Sequence, residues 1–282
     1  MYAQKYAIWV GGEVMWKWET DEHAKAVVVI IHSAFEHHRW YAWLIEKLRT
    51  DGYHIVMGDL PGHGEESKFL RVHDEAINEY ITYIKLLMQN ALSYELPVFV
   101  IGHGFGGLLA IEFLKKKTVE CAGLILSSPW LHLRKTSNLI TNALTSGIGT
   151  LAPNKKISLE FDKKMLTRNL DGYTEMIDDV PYHSKVTGGW YKDVQQLMKN
   201  ITTEQENKLT LPILLLTAQQ DKITDPSISK KWLFSQNTSE LQYKEWPYNY
   251  HNLFHDNERE EVFLYTKDFM NNVLRSLGYI VK

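Results

Sequence analysis

Cysteine is almost missing from the chain: Cys121 stands alone among 282 residues, which excludes an internal disulfide. A lone thiol in an apolar segment suits a reducing compartment and reads as a satisfied core side chain. Long hydrophobic runs are missing too. The longest, Ala26 to Ile31, is far shorter than the ~20 residues a membrane-spanning helix needs, and reads as a strand. The N-terminal segment carries one lysine and then an apolar stretch broken by Gly11, Gly12 and Glu13, a poor match to a signal peptide. Nor is there an excess of charge of one sign. The formal net charge is −3, so nothing global points to nucleic acid. These absences lead to the expectation of a soluble cytoplasmic protein. With 44% hydrophobic and 12% aromatic residues, the chain can bury one large core, or a core plus a cap.

What the chain does contain is a strand–turn–helix at Pro97 to Lys117, PVFVIGHGFGGLLAIEFLKKK, around which the rest is arranged. Val98 to Ile101 read as a short buried strand, and Leu108, Leu109, Ala110 and Phe113 open an apolar helix. The turn between them matches G-x-G-x-x-G at Gly102, Gly104 and Gly107, the fingerprint of dinucleotide binding. That fingerprint demands an acidic residue about twenty positions on, at the end of the next strand, to hold a ribose hydroxyl. No acidic residue occurs from Cys121 to Leu159, and the unit comes third among the βα units, not first. A nucleotide-binding oxidoreductase is therefore a distant alternative. The competing pattern is the nucleophile elbow, G-x-S-x-G, which fits everything except residue 104, glycine where serine belongs.

Further strands are expected at Glu13 to Glu19 (an antiparallel edge), Ala24 to His32, Tyr53 to Asp59, Cys121 to Ser127, Leu211 to Leu216 and Leu241 to Trp246. Helices are expected at Asp74 to Ala91, Pro226 to Gln236 and Glu258 to Leu277. Strands alternating with helices imply a mostly parallel sheet covered on both faces. The alternation breaks at Pro129 and resumes at Leu211. The roughly eighty residues between read as a cap inserted between two strands. They hold helical patches at Leu139, Ile140, Ala143 and Leu144, at Met165 to Asn169 and at Trp190 to Asn200, with no strong strand.

In open α/β sheets ligands bind outside the carboxyl ends of the strands. Such ends here carry His32-Ser33-Ala34, the elbow, Thr217 to Asp221, and Tyr248 to His251. Their order of nucleophile position, acid and histidine is that of the α/β-hydrolases. Together with His32 to His37, Gly58-Asp59-Leu60-Pro61-Gly62-His63-Gly64 and Tyr250-His251-Asn252-Leu253-Phe254-His255, these motifs resemble the monoacylglycerol lipase and lysophospholipase branch of that superfamily, from about Met15 to the C-terminus. The resemblance implies an α/β-hydrolase fold: a mostly parallel twisted sheet flanked by helices, the core at 15–129 and 206–282, a helical cap at 130–205 and an N-terminal extension at 1–14. It implies Asp221 as triad acid and His251 as general base. The base takes a hydroxyl proton and returns it to the leaving group, while the buried carboxylate fixes its tautomer. The oxyanion hole would be the N–H groups of Ala34 and Phe105, and Phe35, His103 and Trp130 would contact substrate. The family has glycine after the first histidine, where this chain has Ser33, and serine where it has Gly104.

Other groups have plainer readings. His32, His63 and His103 read as loop-fixing hydrogen-bonders. Asp225, a rival to Asp221, precedes Pro226 and reads as a helix cap. Ser127 and Ser128 lack the elbow's geometry. His251 and His255 are spaced to bind zinc on a helix, but Asn252 stands where H-E-x-x-H requires Glu, so no metal is expected. Glycine is comfortable in the strained elbow backbone, so the fold should be intact while the attacking oxygen is missing. The chain is thus expected to be an ester hydrolase for acyl glycerides or lysophospholipids, inactive as written. The alternative is a natural pseudoenzyme that binds lipid without cleaving it. Serine at 104 should raise hydrolysis by about three or more orders of magnitude. No cofactor is implied, since triad hydrolysis needs only water. Arg134, Lys135, Lys155 and Lys156 suit either a lid in transient contact with a membrane surface or a packed helix with solvated lysines.

Overall fold

The computed structural model describes residues 5–10, 13–20, 23–64, 72–116, 119–134, 152–159, 161–171, 185–204, 206, 208–238 and 240–281, with backbone alone for 5–10 and 13. Lys5–Val10 (β1) pairs antiparallel with Glu13–Trp18 (β2). The sequence places β2 at the sheet edge; β1 lies outside it and takes that position instead. Ala26–Ile31 (β3), rich in β-branched residues, is buried along its whole length, as a strand covered on both faces must be. Ala42–Thr50 (α1), Tyr53–Gly58 (β4), Ile77–Leu92 (α2), Val98–His103 (β5), Gly104–Lys116 (α3) and Gly123–Ser127 (β6) follow.

The inserted segment then contributes Lys156–Ser158 (β7) and Lys185–Thr187 (β8), an antiparallel pair that the sequence pattern missed because each strand has three residues. Gly188–Thr203 (α4) turns Trp190, Tyr191, Val194 and Leu197 inward. The patch expected at Met165 to Asn169 is not a helix. A single 3-10 turn, Lys163–Met165, ends there, capped by the Asp162 carboxylate on the Lys164 N–H. The patch at Leu139, Ile140, Ala143 and Leu144 lies outside the described residues. Ile213–Ala218 (β9), Pro226–Leu233 (α5), Leu241–Trp246 (β10) and Arg259–Ser276 (α6) complete the chain. No described helix is long and apolar enough to cross a membrane.

The main sheet has the order β1-β2-β4-β3-β5-β6-β9-β10, antiparallel at β1/β2 and β2/β4 and parallel elsewhere. Period-two alternation divides the core. Val27, Val29 and Ile31 face one apolar layer with residues of α2, α3 and α4, while Ala26, Val28 and Ile30 face the other with residues of α1 and α6. The strand ends are level: Ile31 pairs with Gly102, His103 with Ser127, and Ala218 with Trp246. That common edge brings residues distant in sequence to one place.

Candidate active site

β5 runs into α3 without a connecting residue, so the last strand residue is His103 and the first helical one is Gly104. The reversal is completed by φ +52° at Gly104, a left-handed value that strains any side chain but costs glycine nothing. Gly106 has a packing reason. A Cβ there would stand 2.3 Å from the Ile31 carbonyl oxygen and 2.4 Å from that of His32. The glycine-rich turn therefore lets α3 press on the end of β3, and no nucleotide is needed to explain it.

Beyond β9, the turn delivers Asp221 to this edge. Its Oδ1 accepts the N–H groups of Ile223 (2.7 Å) and Thr224 (2.9 Å), and its Oδ2 accepts the Thr224 hydroxyl. That same Oδ2 lies 2.9 Å from His251 Nδ1. An ionised carboxylate only accepts, so Nδ1 carries the proton and Nε2 presents a lone pair. Burial pushes the Asp221 carboxyl up, but the adjacent His251 ring and the hydrogen bonds to Thr224 outweigh it and hold the group below the usual carboxylate range. The rival Asp225 accepts from the Ser227 N–H at 3.0 Å and caps α5. His255 turns away to the Trp40 carbonyl.

The loop after β3 is held by a buried polar network. His32 Nε2 accepts the Leu60 N–H (2.8 Å) and Nδ1 donates to the Ser33 carbonyl (2.7 Å), so both ring nitrogens fasten loops. His63 Nδ1 lies 2.9 Å from the Pro61 carbonyl. Glu36, almost fully buried, accepts from the Ser33 N–H (3.0 Å), the Tyr41 hydroxyl (2.6 Å) and Asn252 Nδ2 (2.8 Å). Because Glu36 can only accept, the Asn252 amide is oriented with Oδ1 toward His103 Nε2, 2.7 Å away. His103 thus donates there from Nε2, and its Nδ1 lies 3.0 Å from the Ser127 carbonyl oxygen and 3.2 Å from the Ser127 hydroxyl. Burial drives the His103 pKa down to about 4, outweighing the nearby Glu36 carboxylate and the hydrogen bond to Asn252, which pull it up.

Phe35, with φ +72°, and Trp130 line a small cavity with Ser33, Phe161, Ile223 and His251. His103 is not among the residues that line it; its ring lies behind, 4.9 Å from that of His251. The Trp130 N–H donates to the Gly104 carbonyl (2.9 Å), and its indole Nε1 stands 3.4 Å from His251 Nε2. Of the two backbone donors assigned to an oxyanion hole, the Phe105 N–H points at Ser33 Oγ, 3.1 Å away. The Ala34 N–H makes no hydrogen bond among the described residues. Arg134, a candidate for lipid contact, donates from Nε to the Thr224 carbonyl at 2.9 Å and is exposed, as are Lys155 and Lys156. Sequence reasoning missed the roles of Glu36, Asn252 and Thr224. Glu36 and Asn252 lay inside quoted motifs, and a charged residue in an apolar loop was the available signal.

A family model described as serine aminopeptidase, S33, matches residues 22–258. The chain is 36% identical over 261 residues to phospholipase YtpA of Bacillus subtilis, covering 92% of this chain and 100% of that protein. It is 23% identical over 248 residues to a monoacylglycerol lipase of Mycolicibacterium smegmatis, 87% of this chain and 88% of the other. Among solved structures, monoacylglycerol lipase of Paleococcus ferrophilus superposes with a TM-score of 0.78 at 25% identity, over 96% of this chain and 99% of that one. A soluble variant of monoglyceride lipase from Saccharomyces cerevisiae shares the fold, with a TM-score of 0.84 at 18% identity over 97% and 96% of the two chains.

Proposed function

The chain belongs to the serine aminopeptidase S33 family of α/β-hydrolases, and from that premise we propose that its site serves carboxylic ester hydrolysis of acyl glycerides or lysophospholipids. The observation that carries this reading is the buried His251–Asp221 pair at 2.9 Å, with the imidazole lining the cavity beside residue 104 and its Nε2 held only by a long 3.4 Å contact from the Trp130 indole among the described residues. Asp221 holds the ring in the tautomer that can accept a proton, and stabilises the imidazolium once it has done so. The proton then passes to the departing alcohol. Phe105 and Ala34 offer N–H groups where the carbonyl oxygen gains charge, at the N-terminus of α3, whose dipole favours an anion. Phe35, Trp130 and Phe161 give the small cavity an apolar wall. The exposed Lys155 and Lys156 suit a transient approach to an anionic lipid surface. The chemistry of phospholipase YtpA and of the monoacylglycerol lipases supports the substrate class.

With glycine at 104, no acyl-enzyme can form at the elbow, and hydrolysis by that route is closed. Serine at 104 alone would not reopen it freely, since a Cβ there meets Ser33 Oγ at 2.1 Å. The test is therefore Ser33→Gly with Gly104→Ser, assayed on a monoacylglycerol and a lysophospholipid. Turnover should exceed that of the same protein carrying His251→Ala by about three or more orders of magnitude. If the folded double variant and the folded unaltered protein both cleave neither ester, the hydrolase reading is overturned. The vacant elbow itself favours a second reading, a pseudoenzyme that binds lipid without cleaving it, and that result would select it.

A further inference from the structure

Residue 104 has no side chain, yet the space where one belongs is filled. A Cβ placed on Gly104 would stand 2.1 Å from Ser33 Oγ and 2.8 Å from Ser33 Cβ, closer than real side-chain atoms approach. The hydroxymethyl group of Ser33 therefore occupies the volume of the missing one. Its Oγ accepts the Phe105 N–H at 3.1 Å, at the positive end of α3. It shares the small cavity with His251, whose Nε2 is engaged, among the described residues, only by the indole of Trp130 at 3.4 Å, a long contact.

The backbone beneath this hydroxyl is fixed from several sides. The Ser33 N–H is bound by Glu36 Oε2 at 3.0 Å, and the Ser33 carbonyl accepts from His32 Nδ1 at 2.7 Å and from the Glu36 N–H at 3.3 Å. Rotation about χ1 is then the group's remaining heavy-atom freedom. A hydroxyl on fixed backbone that shares a cavity with an imidazole already oriented by a carboxylate supplies the parts of an activated nucleophile, and χ1 rotation is the movement that would bring it within hydrogen-bond reach of its base. The departures of the sequence at 33 and 104 are, in space, one exchange of serine for glycine across the site.

We propose that Ser33 supplies the hydroxyl that the elbow lacks: the nucleophile is transposed from the start of α3 to the loop after β3, with His251 as its base. The proposal rests on the ester-hydrolase reading and deepens it. Ser33 Oγ attacks the ester carbonyl carbon and its proton passes to His251 Nε2. The carbonyl–oxygen bond to the leaving alkoxide breaks, and that oxygen takes the proton from His251. Water then attacks the acyl-Ser33 ester with His251 again as base, releasing the carboxylic acid and restoring the Ser33 hydroxyl. The Phe105 N–H, released from Oγ as its lone pair forms the new bond, turns to the carbonyl oxygen beside it, joined by the Ala34 N–H.

The experiment is to treat the unaltered protein, Ser33→Ala, and Ser33→Gly with Gly104→Ser with a small alkyl fluorophosphonate, and to locate any adduct by peptide mass spectrometry. Circular dichroism verifies that each is folded. The expected result is an adduct on Ser33 in the unaltered protein, lost in Ser33→Ala along with about three or more orders of magnitude of esterase activity. If the unaltered protein stays unlabelled while the double variant is labelled at residue 104, Ser33 obstructs the site and the proposal falls, though the hydrolase reading survives. If neither is labelled and neither cleaves esters, both fall. An adduct on any residue other than Ser33 in the unaltered protein also overturns the proposal.

Discussion

The carboxylate of Asp221 has more hydrogen bonds than an isolated acid would need: two backbone N–H groups, a threonine hydroxyl and an imidazole. The backbone pair fixes the plane of the carboxyl, and the plane fixes the ring. Asp221→Asn keeps the shape but allows the amide to donate, which favours the Nε2–H tautomer and removes the base's lone pair from the cavity. In the Ser33→Gly, Gly104→Ser background we expect it to lower the turnover number by about four orders of magnitude with little change in KM, read from steady-state kinetics on a monoacylglycerol. Equal losses in both constants would instead mean a collapsed site. Asp221, His251 and the vacancy at 104 were legible in the sequence because order and motif carry them. Ser33 was visible only as a departure, since a side chain's rotamer and its contact with residue 104 are written nowhere in its neighbours.

Between elements, α3 packs against the end of β3 with no room for a side chain at Gly106. A Cβ at Gly106 would stand within 2.4 Å of both the Ile31 and His32 carbonyl oxygens. The contact is with backbone, which cannot swing aside. Gly106→Ala should therefore destabilise the protein by about 3 kcal/mol, at the upper end of ordinary overpacking, as measured by urea unfolding. A change below ~0.5 kcal/mol would show that α3 can withdraw from the sheet. The regular elements were read closely from pattern: α2 starts at Ile77, three residues after its expected start, and β10 keeps its bounds. The inserted segment was read less well. β7 and β8 are too short to show a period, and their pairing joins residues that are distant in the chain.

Across the whole molecule, buried ionisable groups give the stability a common dependence on pH. His103 is held neutral, its pKa pushed down by burial to about 4, whereas an unfolded histidine titrates near 6.5. Below about 6.5 the unfolded chain therefore binds a proton that the folded chain refuses, and stability falls as the pH drops toward about 4. Asp59 and Asp221 act in the same direction at lower pH. Burial pushes both carboxyls up, but histidine neighbours and hydrogen bonds hold them below the usual range. Their contribution is present above the unfolded carboxylate value near 4 and is lost as the pH falls through the folded values. The unfolding free energy of His103→Asn should fall less steeply between pH 6.5 and 4.5 than that of the unaltered protein. The limit for one such group is about 1.4 kcal/mol per pH unit. Identical slopes in urea titrations would exclude His103 as the source.

The chain by itself determined the strand–helix alternation, the insertion after β6, and the order of acid and histidine along the sheet edge. Each is a matter of residues close together in sequence, where backbone periodicity and turn chemistry act. Only the folded structure decided what fills the place of the missing side chain. Ser33, in the loop after β3, and Gly104, at the start of α3, meet because parallel pairing of β3 with β5 levels the carboxyl ends of those strands. Two atoms cannot share one volume, and that exclusion takes effect only once the strands lie side by side.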